Sequence, residues 1–330
     1  MDLRVVAPGR VNLIGDHTDY TGGLVFPMAI DRATVITGRR GGERVHLTSV
    51  DEPEPVDLPL DVAEPQHVEP TWGRYVAGVV AEARPAHGFT GAVTTDIPIG
   101  AGLSSSAALE VAVALAVGVD GAATEVARLC QRAENRASGV PSGIMDQLTI
   151  CAGVAGHALL IDCHELSVQP VPLPHGAEVV VLYVAHRTLV GSPYAERVAQ
   201  CAAAEAVVGP LRTATLEACD AIDDETVRLR ARHVTSENQR VRSFAAALAA
   251  NDLSEAGRLM VESHHSLARQ YHTSTPQMDA AVEELTAMQG VYGARMTGGG
   301  FGGCVVALTR PGALSTGLTV EAVDGARIVA

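Results

Sequence analysis

The stretch Pro98-Ile-Gly-Ala-Gly-Leu-Ser-Ser-Ser-Ala-Ala-Leu-Glu110 holds the residue types most able to do chemistry. Gly100 and Gly102 carry no Cβ, so the backbone there can curl tightly and come close to a ligand. Ser104, Ser105 and Ser106 put hydroxyls where the first amides of a following Ala- and Val-rich helix lack partners. A loop of bare amides running into a helix N-terminus is an anion site, with phosphate the usual anion. The same pattern also serves a plain glycine turn before a capped core helix. All 24 basic residues are arginine. Without lysine, neither a Walker A loop nor the strand lysine of protein kinases can operate. Gly100-Ala-Gly-Leu-Ser-Ser also lacks the third glycine of a Rossmann fingerprint. A nucleotide held here depends on backbone, Ser hydroxyls and helix dipole, with a metal ion carrying much of the countercharge.

Three further stretches are rich in polar groups or glycine. Ala7 to Gly23 contains Arg10, Asn12, Asp16, His17, Asp19 and Tyr20 among four glycines, a variety that a solvated turn does not need. Gly139-Val-Pro-Ser-Gly-Ile-Met-Asp-Gln-Leu148 repeats the loop-into-helix pattern, with Asp146 in the first turns. A helix-dipole partner is the plainer role for such an acid. In Gly293 to Cys304, five glycines between Gly298 and Gly303 join two expected strands, and in isolation the stretch reads as a hairpin tip.

The elements that must position these groups follow from periodicity. Strands are expected at Leu3–Val6, Leu24–Ile30, Val93–Ile97, Ala158–Asp162 and Val179–Val184. Thr34–Thr37 and Val45–Ser49 are expected to form a hairpin around Arg39-Arg40-Gly41-Gly42. Helices are expected at Trp72–Arg84, Glu125–Ser138, Tyr194–Val208, Glu225–Ala250, Leu253–Gln270 and Pro276–Gln289. The Pro-rich stretch Gln169–His175 marks the expected domain boundary, dividing the chain into 1–172 and 173–330. His264-His265 lacks a zinc spacing and suits a core or helix-surface role.

A chain of 330 residues suits two domains, and 47% apolar content with 19% charged content is that of a well-packed globule. A formal charge of −14 disfavours nucleic acid and anionic membrane surfaces as partners. The six cysteines form no C-x-x-C pair, no signal pattern opens the chain, and no apolar run reaches membrane-span length. A cytoplasmic location is the expectation.

Pro8-Gly-Arg-Val-Asn-Leu-Ile-Gly, Pro98-Ile-Gly-Ala-Gly-Leu-Ser-Ser-Ser-Ala and Met296-Thr-Gly-Gly-Gly-Phe-Gly-Gly occur in that order. Together they resemble the three motifs of the GHMP kinases. Gly15-Asp-His-Thr-Asp-Tyr-Thr-Gly-Gly, Ala133-Glu-Asn, Pro141-Ser-Gly-Ile-Met-Asp-Gln and Arg232-His-Val-Thr-Ser-Glu-Asn resemble galactokinases in particular. The resemblance spans Ala7 to Leu308. It implies an α+β, two-domain GHMP kinase fold with the active site in the interdomain cleft, and Mg·ATP-dependent phosphorylation of a sugar at its anomeric hydroxyl.

Carried over residue by residue, the resemblance implies that Asp146 faces the anomeric hydroxyl with Arg10 beside it. Asp16, His17, Asp19, Gly143 and Tyr194 would bind the sugar. Gly100, Ala101, Gly102, Leu103, Ser104, Ser105, Ser106 and Ala107 would wrap the ATP phosphates, and Ser106 and Glu134 would hold Mg²⁺. Whether Asp146 acts as general base or as electrostatic partner of Arg10 stays open at this level.

The chain departs from the family at Asp16, where galactokinases carry Glu, and in Val184–Tyr194, which lacks their Asn/Asp-Thr-Gly-Val pattern. The substrate implied is galactose or a galactose-like sugar extended beyond C6, such as an octose of antibiotic biosynthesis. An arabinose or uronic-acid 1-kinase is the rival enzyme. A uronate would call for an extra cation near Asp16, and the sequence makes none evident. A non-catalytic sugar sensor is the rival from another class; the complete Ser-rich loop and Asp146 speak against it.

Overall fold

The computed structural model describes residues 3–186 and 191–329. In chain order the first part contains β1 (Leu3–Asn12), β2 (Leu24–Val25), β3 (Pro27–Arg40), β4 (Arg44–Ser49), β5 (Val56–Pro59), α1 (Gly73–Ala83), β6 (Phe89–Thr95), α2 (Ser105–Val117), α3 (Ala123–Ser138), α4 (Met145–Ala152), β7 (His157–Asp162) and β8 (Ser167–Pro172). The second contains β9 (Glu178–Ala185), α5 (Tyr194–Val208), α6 (Leu216–Asp220), α7 (Glu225–Ala249), α8 (Leu253–Ser266), α9 (Pro276–Ala287), β10 (Val291–Thr297), β11 (Gly303–Thr309), β12 (Leu318–Val320) and β13 (Arg327–Val329). A six-stranded sheet runs β13-β1-β3-β6-β4-β5, a four-stranded sheet β10-β11-β9-β12, and a three-stranded sheet β2-β7-β8.

α2 is almost wholly apolar and buried around its circumference, so it forms the central rod of the first part. Small side chains let it lie close to α1 and α3, in a core that also takes in Phe26, Phe244 and Met260. A second core gathers Leu211, Val234, Tyr271, Leu285 and Met296 under the helices of the second part. No helix among the described residues is long and apolar enough to cross a membrane.

Most expected helices form within a few residues of their expected ends. Several sequence expectations are corrected. β3 and β4 do not make a hairpin: β6 lies between them, antiparallel to β3 (Ile36 opposite Val93) and parallel to β4 (Leu47 opposite Gly91). The Gly41-Gly42 connection arches over the start of β6, where the Gly41 amide donates to the Gly88 carbonyl and the Gly88 amide to that of Gly42. β3, β6 and β4 thereby each have a pairing neighbour on both sides.

β1 runs on through Asn12 instead of ending at Val6, because Ala7 to Asn12 pair with β3 across a bulge between Pro8 and Gly9. The stretch from Gln169 is not a connection, since Gln169 to Pro172 pair with β7 as part of β8. β13 returns to pair with β1 (Val5 opposite Ile328), so a cut at 172/173 leaves the last strand on the first sheet. α8 ends at Ser266, and Leu267–Tyr271 continues as a π-helical turn. His264 is buried and accepts the Met296 amide on Nδ1, a core role.

Candidate active site

The bulge at Pro8/Gly9 lets β1 leave its regular register just before Arg10. The Arg10 amide donates to the Leu103 carbonyl at 3.1 Å, and its Nη1 donates to the Gly102 carbonyl at 2.6 Å. Its Nε and Nη2 then grip the Asp146 carboxylate side-on, each at 2.8 Å. Asp146 stands in the first turn of α4, with about a quarter of its side chain exposed, while Arg10 is buried. The plain dipole role for Asp146 is therefore insufficient: the acid is tied to a guanidinium 136 positions away in sequence.

The Gly/Ser loop touches the same carboxylate. Gly100, Gly102 and Ser104 have φ of 74°, 80° and 63°, the left-handed turns that curl the backbone ahead of α2. Ser104 was expected to cap α2, but its side chain makes no cap bond. Its hydroxyl donates to Asp146 Oδ2 at 2.5 Å instead. Ser106, the second residue of α2, donates to Glu134 Oε1 at 3.2 Å.

Glu134 Oε2 accepts from Ser142 Oγ at 3.1 Å and Gln147 Nε2 at 2.8 Å, and the same Gln147 nitrogen donates to Glu110 Oε2 at 3.1 Å. Burial, joined by the Asp146 charge, raises the Glu134 pKa; burial, joined by Glu134, pushes Glu110 well up. Among the described residues no group of three or more His, Cys, Asp or Glu forms a metal cluster.

Arg10, Asp16, His17, Asp19, Glu134, Ser142, Gly143, Met145, Asp146, Tyr194, Gly298 and Gly299 line one cavity. It thus brings together every residue expected to bind sugar, both catalytic candidates and one metal candidate. Gly143 faces Asp19 so closely that a Cβ would lie 1.9 Å from Asp19 Oδ2, which excludes any side chain there. Burial, and then the neighbouring Asp146 charge, lift Asp19 from 3.8 to about 7 against backbone hydrogen bonds from Tyr20 and Met145. Residues 187–190 of the atypical segment before Tyr194 lie outside the described residues.

Asp16 is committed differently from the other lining acids. Its Oδ2 accepts from Arg295 Nη1 at 2.6 Å and its Oδ1 from the Gly298 amide at 3.0 Å. Burial raises its pKa, with Arg295 opposing. The extra cation that the sequence did not make evident is Arg295, fully buried in β10 and neutralised by Asp16. Thr297 fastens the same region to β1, donating to the Asn12 carbonyl at 2.9 Å and accepting its amide at 3.3 Å.

Arg295, Glu110, Tyr20 and Tyr271 had no assigned role from the sequence. A charge inside an otherwise apolar strand or helix was the available signal for the first two.

A nucleotide-type Gly/Ser loop locked onto an Arg–Asp pair at the mouth of a polar cavity, between two α+β parts, defines a small-molecule kinase of the GHMP class. The galactokinase galactose-binding signature matches residues 2–40, the GHMP kinase N-terminal domain 74–154 and the GHMP kinase C-terminal domain 244–316. The chain is 45% identical to galactokinase of Canis lupus familiaris over 93% of its own length and 83% of that protein's. It is 44% identical to galactokinase of Roseiflexus sp. over 94% and 84%. Lactococcus lactis galactokinase complexed with galactose superposes with a TM-score of 0.92 at 32% identity, over 99% of this chain and 95% of that one. A mevalonate kinase shares the fold, with a TM-score of 0.71 at 20% identity over 97% and 99%. The chain belongs to the galactokinase family. It is accordingly an ATP-dependent sugar kinase.

Proposed function

We propose that the protein transfers the γ-phosphoryl group of Mg·ATP to the anomeric (C1) hydroxyl of galactose. The observation that carries the reading is the Arg10–Asp146 pair, held by Gly102 and Ser104 of the phosphate loop on one side and open to the cavity on the other. Sugar and triphosphate would meet at that pair. Asp146 takes the C1 hydroxyl proton as the sugar oxygen bonds to Pγ and the Pγ–O bond to the β-phosphate breaks. Its carboxylate offers about four lone-pair directions, so the bonds from Arg10 and Ser104 leave room for the hydroxyl. Arg10 stabilises charge on the attacking oxygen and the equatorial phosphoryl oxygens.

Residues 100–107 supply amides and hydroxyls to the phosphates, while Asp16, His17, Asp19, Gly143 and Tyr194 shape the sugar pocket. Ser106 and Glu134 would hold Mg²⁺. A half-buried carboxylate with only neutral donors around it, two of them hydroxyls, is a fitting donor set, because Mg²⁺ prefers one or two protein oxygens plus phosphates and water. When bound, the ion would neutralise charge on the bridged phosphates.

A second reading has one observation in its favour. Asp16 is one methylene shorter than the family's Glu, and both its oxygens are spent on Arg295 and Gly298. On this reading the shorter side chain would make room for a sugar extended beyond C6, such as an octose. A uronate gains nothing from Arg295, whose charge Asp16 already cancels. Coupled ADP release across galactose, a C6-extended galactose, arabinose and galacturonate, with the parent and Asp16→Glu, tests both readings. Parent turnover on galactose supports the first. A preference for the extended sugar that Asp16→Glu reverses supports the second. Turnover on none of them refutes both.

A further inference from the structure

We propose that Tyr20 and Tyr271 are positioning residues for sugar recognition: a chain of hydrogen bonds from Cys201 through Tyr271 and Tyr20 fixes the tautomer and ring orientation of His17. The inference rests on the sugar-kinase reading for what His17 touches, and on geometry for everything else.

The chain is continuous. Tyr20 Oη lies 2.9 Å from His17 Nδ1 and 2.6 Å from Tyr271 Oη, which in turn lies 3.0 Å from Cys201 Sγ. Tyr271 is fully buried, and its ring sits 4.7 Å from the His17 ring on one side and 4.5 Å from that of His233 on the other. Burial holds both phenols well above their ordinary pKa and the thiol at about 11, so near neutrality each group is uncharged and has one proton to give.

One proton per group makes the chain directional. In one sense, Cys201 donates to Tyr271, Tyr271 to Tyr20, and Tyr20 to His17 Nδ1, so the imidazole proton sits on Nε2. In the other, His17 Nδ1–H donates into the chain, the Cys201 sulfur accepts at the far end, and Nε2 becomes an acceptor. A neutral imidazole nitrogen is a better acceptor than a phenol oxygen, so the first sense is the stronger one: Nδ1 accepts from Tyr20 and Nε2 carries the proton as a donor toward a sugar hydroxyl. Without the chain, Nδ1 loses the hydrogen bond that selects its protonation state.

The π-helical turn Leu267–Tyr271 is what brings Tyr271 to this place. Its wider turn rotates Tyr271 away from the register that α8 would give it, a device found often at functional sites. Two arginines from other helices hold its end: Arg197 Nε donates to the Tyr271 carbonyl at 3.0 Å, and Arg230 donates to that of Gln270. A residue from the second part of the chain thereby sets the chemistry of one in the sugar-binding signature of the first.

The test uses the full-length protein with Tyr20→Phe and Tyr271→Phe. Steady-state kinetics give kcat and separate KM values for galactose and ATP. Long-range ¹⁵N–¹H correlation spectra of the sugar-free protein report the His17 tautomer, with its signals assigned by their loss in His17→Asn. Removing one ordering hydrogen bond should raise the sugar KM by about five- to thirtyfold. The ATP KM and kcat should stay within about threefold, and His17 should change from one tautomer to a mixture. Tyr20 is only half-buried, so Tyr20→Phe keeps the test available if Tyr271→Phe fails to fold. A sugar KM within twofold of the parent in Tyr20→Phe, or an unaltered tautomer signature, overturns the proposal. A parent that phosphorylates no sugar instead overturns the sugar-kinase reading, and the tautomer spectra still decide whether the chain orders His17.

Discussion

Asp19 should make the folded protein less stable than it would be with a neutral side chain, and increasingly so as pH rises. Its carboxyl titrates at about 7 in the folded state against an ordinary 3.8, so the folded chain holds the proton more tightly than the unfolded one. That linkage gives stability in full below about pH 4, and the gain is lost progressively as pH rises through 7. The displacement corresponds to ~4 kcal/mol at full burial. Asp19 is half-buried at the cavity wall, and solvent screening brings the expected value to about 2 kcal/mol. Asp19→Asn keeps the shape and an acceptor for the Tyr20 and Met145 amides while removing the charge. Urea denaturation at pH 8.5 should show Asp19→Asn more stable than the parent by about 2 kcal/mol, with the gap shrinking toward pH 5. Acids remote from Asp19 cancel in the difference, while relief of the repulsion with Asp146 and Asp16 is part of the expected gain. The exchange also removes a carboxylate from the sugar pocket, so sugar affinity should fall while stability rises. An equal gap at pH 5 and 8.5, or a variant less stable than the parent at pH 8.5, would refute the reasoning.

Asp146→Asn should retain ATP binding, measured by nucleotide fluorescence titration, and lose at least a hundredfold in turnover. Activity within about tenfold of the parent, ~1.4 kcal/mol of barrier, would leave Asp146 as the helix-end partner of Arg10 alone. Ser106→Ala and Glu134→Ala should each raise the Mg²⁺ concentration needed for half-maximal rate at fixed ATP by several-fold. An unchanged requirement in both would place the ion elsewhere.

What the sequence disclosed depended on how local its cause was. The three glycine-rich stretches were legible because positive φ and bare amides are properties of a few adjacent residues, and the lack of lysine narrowed the phosphate chemistry at once. Arg295 was not: its partner Asp16 lies 279 positions away, and one charge in a strand reveals nothing of what it faces. Ser104 resembled a cap because its position before α2 is visible, whereas the pull of Asp146 across 42 residues is not. The π turn was hidden since hydrophobic spacing runs on through Leu267 and Tyr271 whichever turn the backbone takes. Pairing failed as an inference where a neighbour in sequence was not the neighbour in space, at β3 and β4.

That last arrangement sets an order of events. β3 and β4 are separated by residues 41–43, but β3 and β6 by residues 41–88. Closing the longer loop costs about 2.5 kcal/mol more in chain entropy, so β3 meets β4 first on the microsecond scale of hairpin formation. A β3–β4 ribbon formed that way would have to open before β6 could take its place between the two strands. Until it does, the Gly/Ser loop that follows β6 has nothing to hang from. The nucleotide cradle therefore depends on a long-range closure, whereas the sugar-binding signature in residues 2–40 depends on the local pairing of β1 with β3.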